Sequence, residues 1–186
     1  MNPKKITLLI IILSSLFIVS CDSNQKIKDT QSTHPEDNYI KTVDRRNLEY
    51  YILASEKETS KWNKTLVDAK KFVKKYASLK EIDKIDFITL DKATNNWLKT
   101  NTNGNEFIEY DLAILYGELL CQHYEFVWVF DNFEQDNYTV IHKEKLIDAN
   151  PFDATQEIIL HHSKRSFKDR AESIKIITTD NNVYKK

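Results

Sequence analysis

The chain has 186 residues, with 27 Lys and Arg against 28 Asp and Glu and a formal charge of −1 at pH 7. That balance gives no broad basic field for nucleic acid, whose binding rests on phosphate neutralisation. Only two glycines and two cysteines occur, which excludes glycine-rich phosphate loops and dinucleotide fingerprints and a multi-disulfide framework.

The first element in chain order has the three zones of an export signal. Lys4 and Lys5 form a positive start, and Ile6 through Val19 is an apolar run broken only by Thr7, Ser14 and Ser15. Its fourteen residues fall inside the roughly 7–15 of a secretory signal and short of the ~20 that span a bilayer core as a helix. The run ends Ile18-Val19-Ser20-Cys21, which resembles the lipobox of bacterial lipoproteins. The resemblance implies that Met1–Ser20 is removed and that Cys21 becomes a lipidated N-terminus. It would carry a diacylglyceryl group on sulfur and, on the new amine, an acyl chain such as palmitate. Two or more chains hold a protein firmly to a bilayer where one does not. The expected location is therefore the cell envelope, membrane-anchored and facing the periplasm or exterior. Without residues 1–20, 166 of the 186 residues remain, and losing Lys4 and Lys5 moves the formal charge by two, to −3.

Residues 21–36 read as the lipidated cysteine and a flexible tether, because Asp22 to about Glu36 is polar with almost nothing to bury. Residues 37–186 read as one globular domain. From Asp37 to about Lys99 the periodicity is helical, with Tyr39, Val43, Arg46, Tyr50 and Leu53 near one stripe. The clearest helix runs from about Ser60 to Tyr76, where Trp62, Leu66, Ala69, Val73 and Tyr76 recur at the spacing of a core-facing face. Its other side carries Lys64, Lys70, Lys71, Lys74 and Lys75. A further helix is expected near Thr89–Lys99, with Leu90, Ala93, Trp97 and Leu98 as its apolar side. After the turn cluster Asn101–Asn105, the helix from about Glu106 to His123 is apolar over a wide arc through Phe107, Tyr110, Ala113, Ile114, Gly117, Leu120 and Cys121, and is expected to be central. Gly117, four residues after Ala113, suggests close packing against a neighbouring backbone.

Then the period changes. Phe126–Phe130 and Tyr138–Ile141 are short β-rich runs joined by a polar connector around Phe133, a hairpin signal. Asn150-Pro151 marks a break. Gln156–His162 is undecided between helix and strand, and Ser173–Thr178 is a β-branched run. The fold class is α+β: N-terminal helices and a central apolar helix packed on a small antiparallel sheet in the C-terminal half.

Tyr116-Gly117-Glu118, Trp128-Val129-Phe130-Asp131, Asn150-Pro151-Phe152 and Lys164-Arg165 together resemble the uncharacterised bacterial domain family catalogued as DUF3806, over about Asn105 to Arg165. That family shows a glycine-bearing helix, a strand with Trp and a following Asp, and a Pro-containing segment ending in basic residues. It has no assigned activity, so the resemblance implies a fold rather than a reaction.

For chemistry, a carboxylate beside a histidine is a general-base arrangement, and Glu118, His123 and Asp131 are the candidates at the helix–strand junction. The alternative is a helix-end histidine satisfying terminal carbonyls and an aspartate starting a turn. No His-x-x-x-His, Cys-x-x-Cys or His-Glu-x-x-His spacing exists, so no metal and no cofactor are expected. Cys121, in an apolar stretch, reads as a small hydrophobe. Lys64, Lys71, Lys75 and Phe133 are the candidate contact surface. The expected function is a non-catalytic, lipid-anchored binding protein of the envelope, in one version an immunity protein that captures a toxin. The alternatives are a small envelope hydrolase and a structural envelope lipoprotein. The expected partners are the membrane, through Cys21, and one envelope or toxin protein, with no nucleic acid.

Overall fold

The computed structural model describes residues 40–81, 84–101, 106–132 and 137–179, all inside the unit Pro35–Lys186. The export signal, Cys21, the tether, the turn at 102–105, the side chain of Phe107 and all of Phe133 lie outside the described residues. The strands are β1 (Ile40–Thr42), β2 (Tyr51–Leu53), β3 (Val127–Asp131), β4 (Asn137–His142) and β5 (Ile147–Ala149). The helices are α1 (Glu56–Ser60), α2 (Asn63–Ala77), α3 (Phe87–Leu98), α4 (Glu106–Tyr124), α5 (Pro151–Ile159) and α6 (Phe167–Thr179). The fold is α+β, with one antiparallel sheet in the order β1-β5-β4-β3-β2.

Helix α4 is apolar nearly all round, and a helix of that kind has to be buried. Leu112, Ile114, Tyr116 and Leu120 have no exposed surface, and α2, α5 and α6 all pack on α4. On α2 the stripe holds, with Trp62, Ala69 and Val73 buried and Leu66 and Tyr76 partly so. Ser78 ends α2 in the left-handed conformation with φ 57°. Capping boxes start α1 (Ser55 with Glu58) and α3 (Asp86 with Thr89). Asn150 caps α5, accepting from the N–H groups of Phe152 and Asp153, with Pro151 in the first turn. The Asn150-Pro151 break is thus a helix start.

One segment differs from the sequence reading, and two that it left open are helical. Residues 40–53 form β1, a 3-10 turn (Arg45–Tyr50) and β2 instead of a helix. Of the expected stripe, Val43 is buried while Tyr50 and Leu53 are exposed. Pairing with the C-terminal strands decides the matter: Ile40 lies opposite Ala149 and Ile52 opposite Phe130. The undecided Gln156–His162 is helical through Ile159. The β-branched run Ser173–Thr178 lies in α6, where Phe167, Arg170, Ala171, Ile174 and Thr178 are buried at helical spacing.

The chain of antiparallel pairings makes β1 and β2 parallel edge strands on opposite sides of the sheet. β1 ends beside Ile147, and β2 starts beside Asp131 at the other end. Residues 43–50 therefore cross the sheet diagonally. The face carrying Trp128 packs on α4.

Candidate functional site

Gly117, Trp128 and Pro151 meet at one point. A Cβ on Gly117 would fall inside the van der Waals envelope of Trp128 Cζ2 and Cη2, and 3.1 Å from Pro151 Cγ. The close approach is to an indole and a proline ring, not to the neighbouring backbone that the Ala113–Gly117 spacing suggested. The next residue, Glu118, accepts a 3.0 Å hydrogen bond from Trp128 Nε1. The indole thus fixes both the helix and the carboxylate beside it. Trp62 lies against Trp128 with ring centroids 4.8 Å apart, and the Tyr138 ring meets Trp62 edge-on at 5.0 Å. Tyr138 Oη donates to Glu58 Oε1 at 2.8 Å.

Glu118 lines two shallow depressions. One, of about 90 Å³, runs between Leu66, Lys70, Ile85 and Gln122. The other, of about 320 Å³ and open to solvent, borders Glu56, Thr59, Ser60 and Asn63. Neither brings Glu118 to the other two candidates. His123 is exposed at the end of α4, against Phe87 and Tyr124. Asp131 follows Trp128 by three residues, an odd step that turns it to the opposite face of the sheet, where it is fully buried. The three occupy separate places and share no pocket.

Asp131 has different company. On the same face, Asp148 of β5 is 2% exposed and Thr139 of β4 has no exposed surface. Thr139 Oγ1 lies 2.5 Å from Asp148 Oδ1 and 3.3 Å from the Ala149 carbonyl oxygen. Tyr51 Oη donates to Asp148 Oδ2 at 3.4 Å. Burial pushes the Asp148 carboxyl up to about 7; Asp131 adds to the rise, while Thr139, Lys41 and Tyr51 oppose it. Sequence reasoning missed Asp148, Thr139 and Tyr51. The signal available was a lone Asp in Ile147-Asp148-Ala149, an acidic residue inside an apolar strand.

Cys121 is free and half-buried. Burial, with the Glu118 charge second, pushes its thiol up to about 12, so it packs as a thiol. His142 is buried edge-on to Phe126, and His161 and His162 are exposed after α5. Among the described residues no three His, Cys, Asp or Glu side chains group as metal ligands.

Lys64, Lys71 and Lys75 all lie exposed on α2. Lys71 pairs with Asp68 at 3.2 Å, and Lys75 Nζ sits 4.7 Å over the Tyr76 ring. A larger apolar exposure occurs on β2. Ile52 is 52% exposed, Leu53 55% and Tyr50 40%, at a sheet edge among the described strands. Ala54 N–H donates to the Trp128 carbonyl and Asn132 N–H to the Tyr50 carbonyl. In an antiparallel ladder that pattern turns Ile52 toward β3 and the N–H and C=O of Leu53 away from it.

No protein-family model matches this chain, and no match exists among curated proteins or solved structures. Among the described residues no helix is long and apolar enough to cross a membrane.

Proposed function

We propose that the chain is a lipid-anchored binding protein of the cell envelope, non-catalytic, and that β2 is where it takes its partner. The single observation that supports this most is the character of that edge. Proteins ordinarily blunt an edge strand with Lys, Pro or a bulge, because its open backbone groups invite another strand. Here the strand is short, Tyr51-Ile52-Leu53, but it carries no Lys or Pro, and both aliphatic side chains are more than half exposed. An extended apolar segment of an envelope or toxin protein would add as a sixth strand and cover Ile52 and Leu53. This is a recurrent mode of peptide recognition. An immunity protein that captures a toxin at the membrane is the specific version of this reading. The anchor is Cys21, by its lipobox.

The test is crosslinking in live cells followed by purification of the tagged lipoprotein. One partner should be recovered in near-equal amount with wild type and at least tenfold less with Leu53→Asp, which leaves the buried core untouched. Equal recovery with both proteins moves the binding site elsewhere, and no partner with wild type removes the binding reading. Cys21→Ser should shift the protein from the membrane to the soluble fraction. Retention in the membrane fraction contradicts the anchor.

A further inference from the structure

The face of the sheet opposite α4 holds two buried carboxyls, Asp131 and Asp148. They come from β3 and β5, with Thr139 on β4 between them. Burial disfavours the charged form of Asp148 and the Asp131 charge adds to that, so Asp148 tends to keep its proton. Hydrogen counting locates it. Thr139 has one hydroxyl hydrogen, yet its Oγ1 faces two acceptors, Asp148 Oδ1 at 2.5 Å and the Ala149 carbonyl oxygen at 3.3 Å. Both contacts become hydrogen bonds when Asp148 carries a proton and donates to Thr139, which donates to Ala149. Tyr51 Oη then donates to the other carboxyl oxygen, Oδ2. The chain Tyr51–Asp148–Thr139–Ala149 ties β2, the edge strand that follows the crossover, to β4 and β5.

We propose that Asp148 keeps a proton that it donates to Thr139, and that this proton makes the fold pH-sensitive through the tie between β2 and β5. The charged and titratable groups acting on Asp148 are Asp131 from β3, Lys41 from β1 and Tyr51 from β2, with Thr139 from β4 supplying a hydrogen bond. On the crossover, Asp44 is engaged with Arg46 at 2.6 Å. Of the groups acting on Asp148, Lys41 brings the compensating positive charge, and it is exposed on the β1 edge. The folded-state value of Asp148, about 7, stands above the ordinary aspartate value of 3.8. Between those two values the folded protein binds more protons than the unfolded chain. Stability from this group is therefore complete below about pH 4, is lost as pH rises toward 7, and changes no further above that.

The experiment uses the full chain in detergent micelles, as wild type, Asp148→Asn and Asp131→Asn. The unfolding equilibrium constant of wild type relative to Asp148→Asn should rise by up to about tenfold per pH unit between pH 4 and 7 and then level off. Asp131→Asn should lower the midpoint of that rise, since it removes the neighbouring charge. Infrared spectra of wild type at pH 6 should show a protonated-carboxyl band that is absent from Asp148→Asn. This readout on the wild-type protein survives a variant that fails to fold. A ratio that does not vary with pH, or no such band in wild type at pH 6, overturns the proposal.

Discussion

Gly117→Ala destabilises the domain by about 3 kcal/mol, against the usual sign for a helix interior. In an open helix the same change stabilises by roughly 1 kcal/mol. Here the added methyl group would enter the Trp128 indole and press on Pro151. Overpacking of a rigid core typically costs ~1–3 kcal/mol, and this position belongs at the upper end. The indole is held by its hydrogen bond to Glu118 and by the Trp62 ring, so it cannot swing aside. Chemical denaturation of the pair Gly117→Ala and Trp128→Leu makes the cause visible. Trp128→Leu alone should cost about 3 kcal/mol through lost packing, and in that background the methyl group added by Gly117→Ala gains room. The two effects should then sum to less than their separate costs by at least about 1 kcal/mol. Strict additivity would show that the glycine serves something other than the indole.

Asp91→Ala is expected to lower stability by about 2 kcal/mol through a contact between two helices distant in sequence. Asp91, on α3, accepts from Phe167 N–H at 2.7 Å and Lys168 N–H at 3.1 Å. Ser166 and Asp169 satisfy each other's backbone N–H groups in the same turn. The first N–H groups of α6 thus have acceptors, one pair of them supplied by another helix. The hydrogen bond from the buried Phe167 N–H to this charged acceptor contributes ~1.5–3 kcal/mol. Partial exposure of Lys168 keeps the total near the lower part of that range. Asp91→Asn retains an acceptor oxygen and should lose about half as much. For a domain of this size the alanine variant should melt about 4–8 °C lower. An unchanged melting temperature would mean that water replaces the carboxylate without loss.

The helices were legible where a long apolar period coincided with burial. Trp62, Ala69 and Val73 recur at the right spacing and are in the core, and the all-round apolar α4 is central. The β3–β4 hairpin was legible from its β-branched and aromatic residues. Strands β1 and β2 were not, because three residues carry no measurable period and their apolar side chains also fit a helical stripe. Their state is set by partners about 80–110 positions away in the chain. In α6 the β-branched residues masked a helical spacing that buries Phe167, Ala171 and Ile174. The Gly117, Trp128 and Pro151 contact was legible only as three separate residues. The Asp131–Asp148 cluster depends on hairpin register, which the sequence does not display. Glu118, His123 and Asp131 are near one another in sequence, yet strand parity and helix length send them to different surfaces.

Site-specific photo-crosslinking in live cells tests most directly whether β2 receives a partner. A photoreactive residue at position 53 should capture one protein in high yield. The same residue at Ile176, which is 66% exposed on α6, should capture none. Equal capture from both positions, or capture from α6 alone, would mean that the partner does not bind at β2.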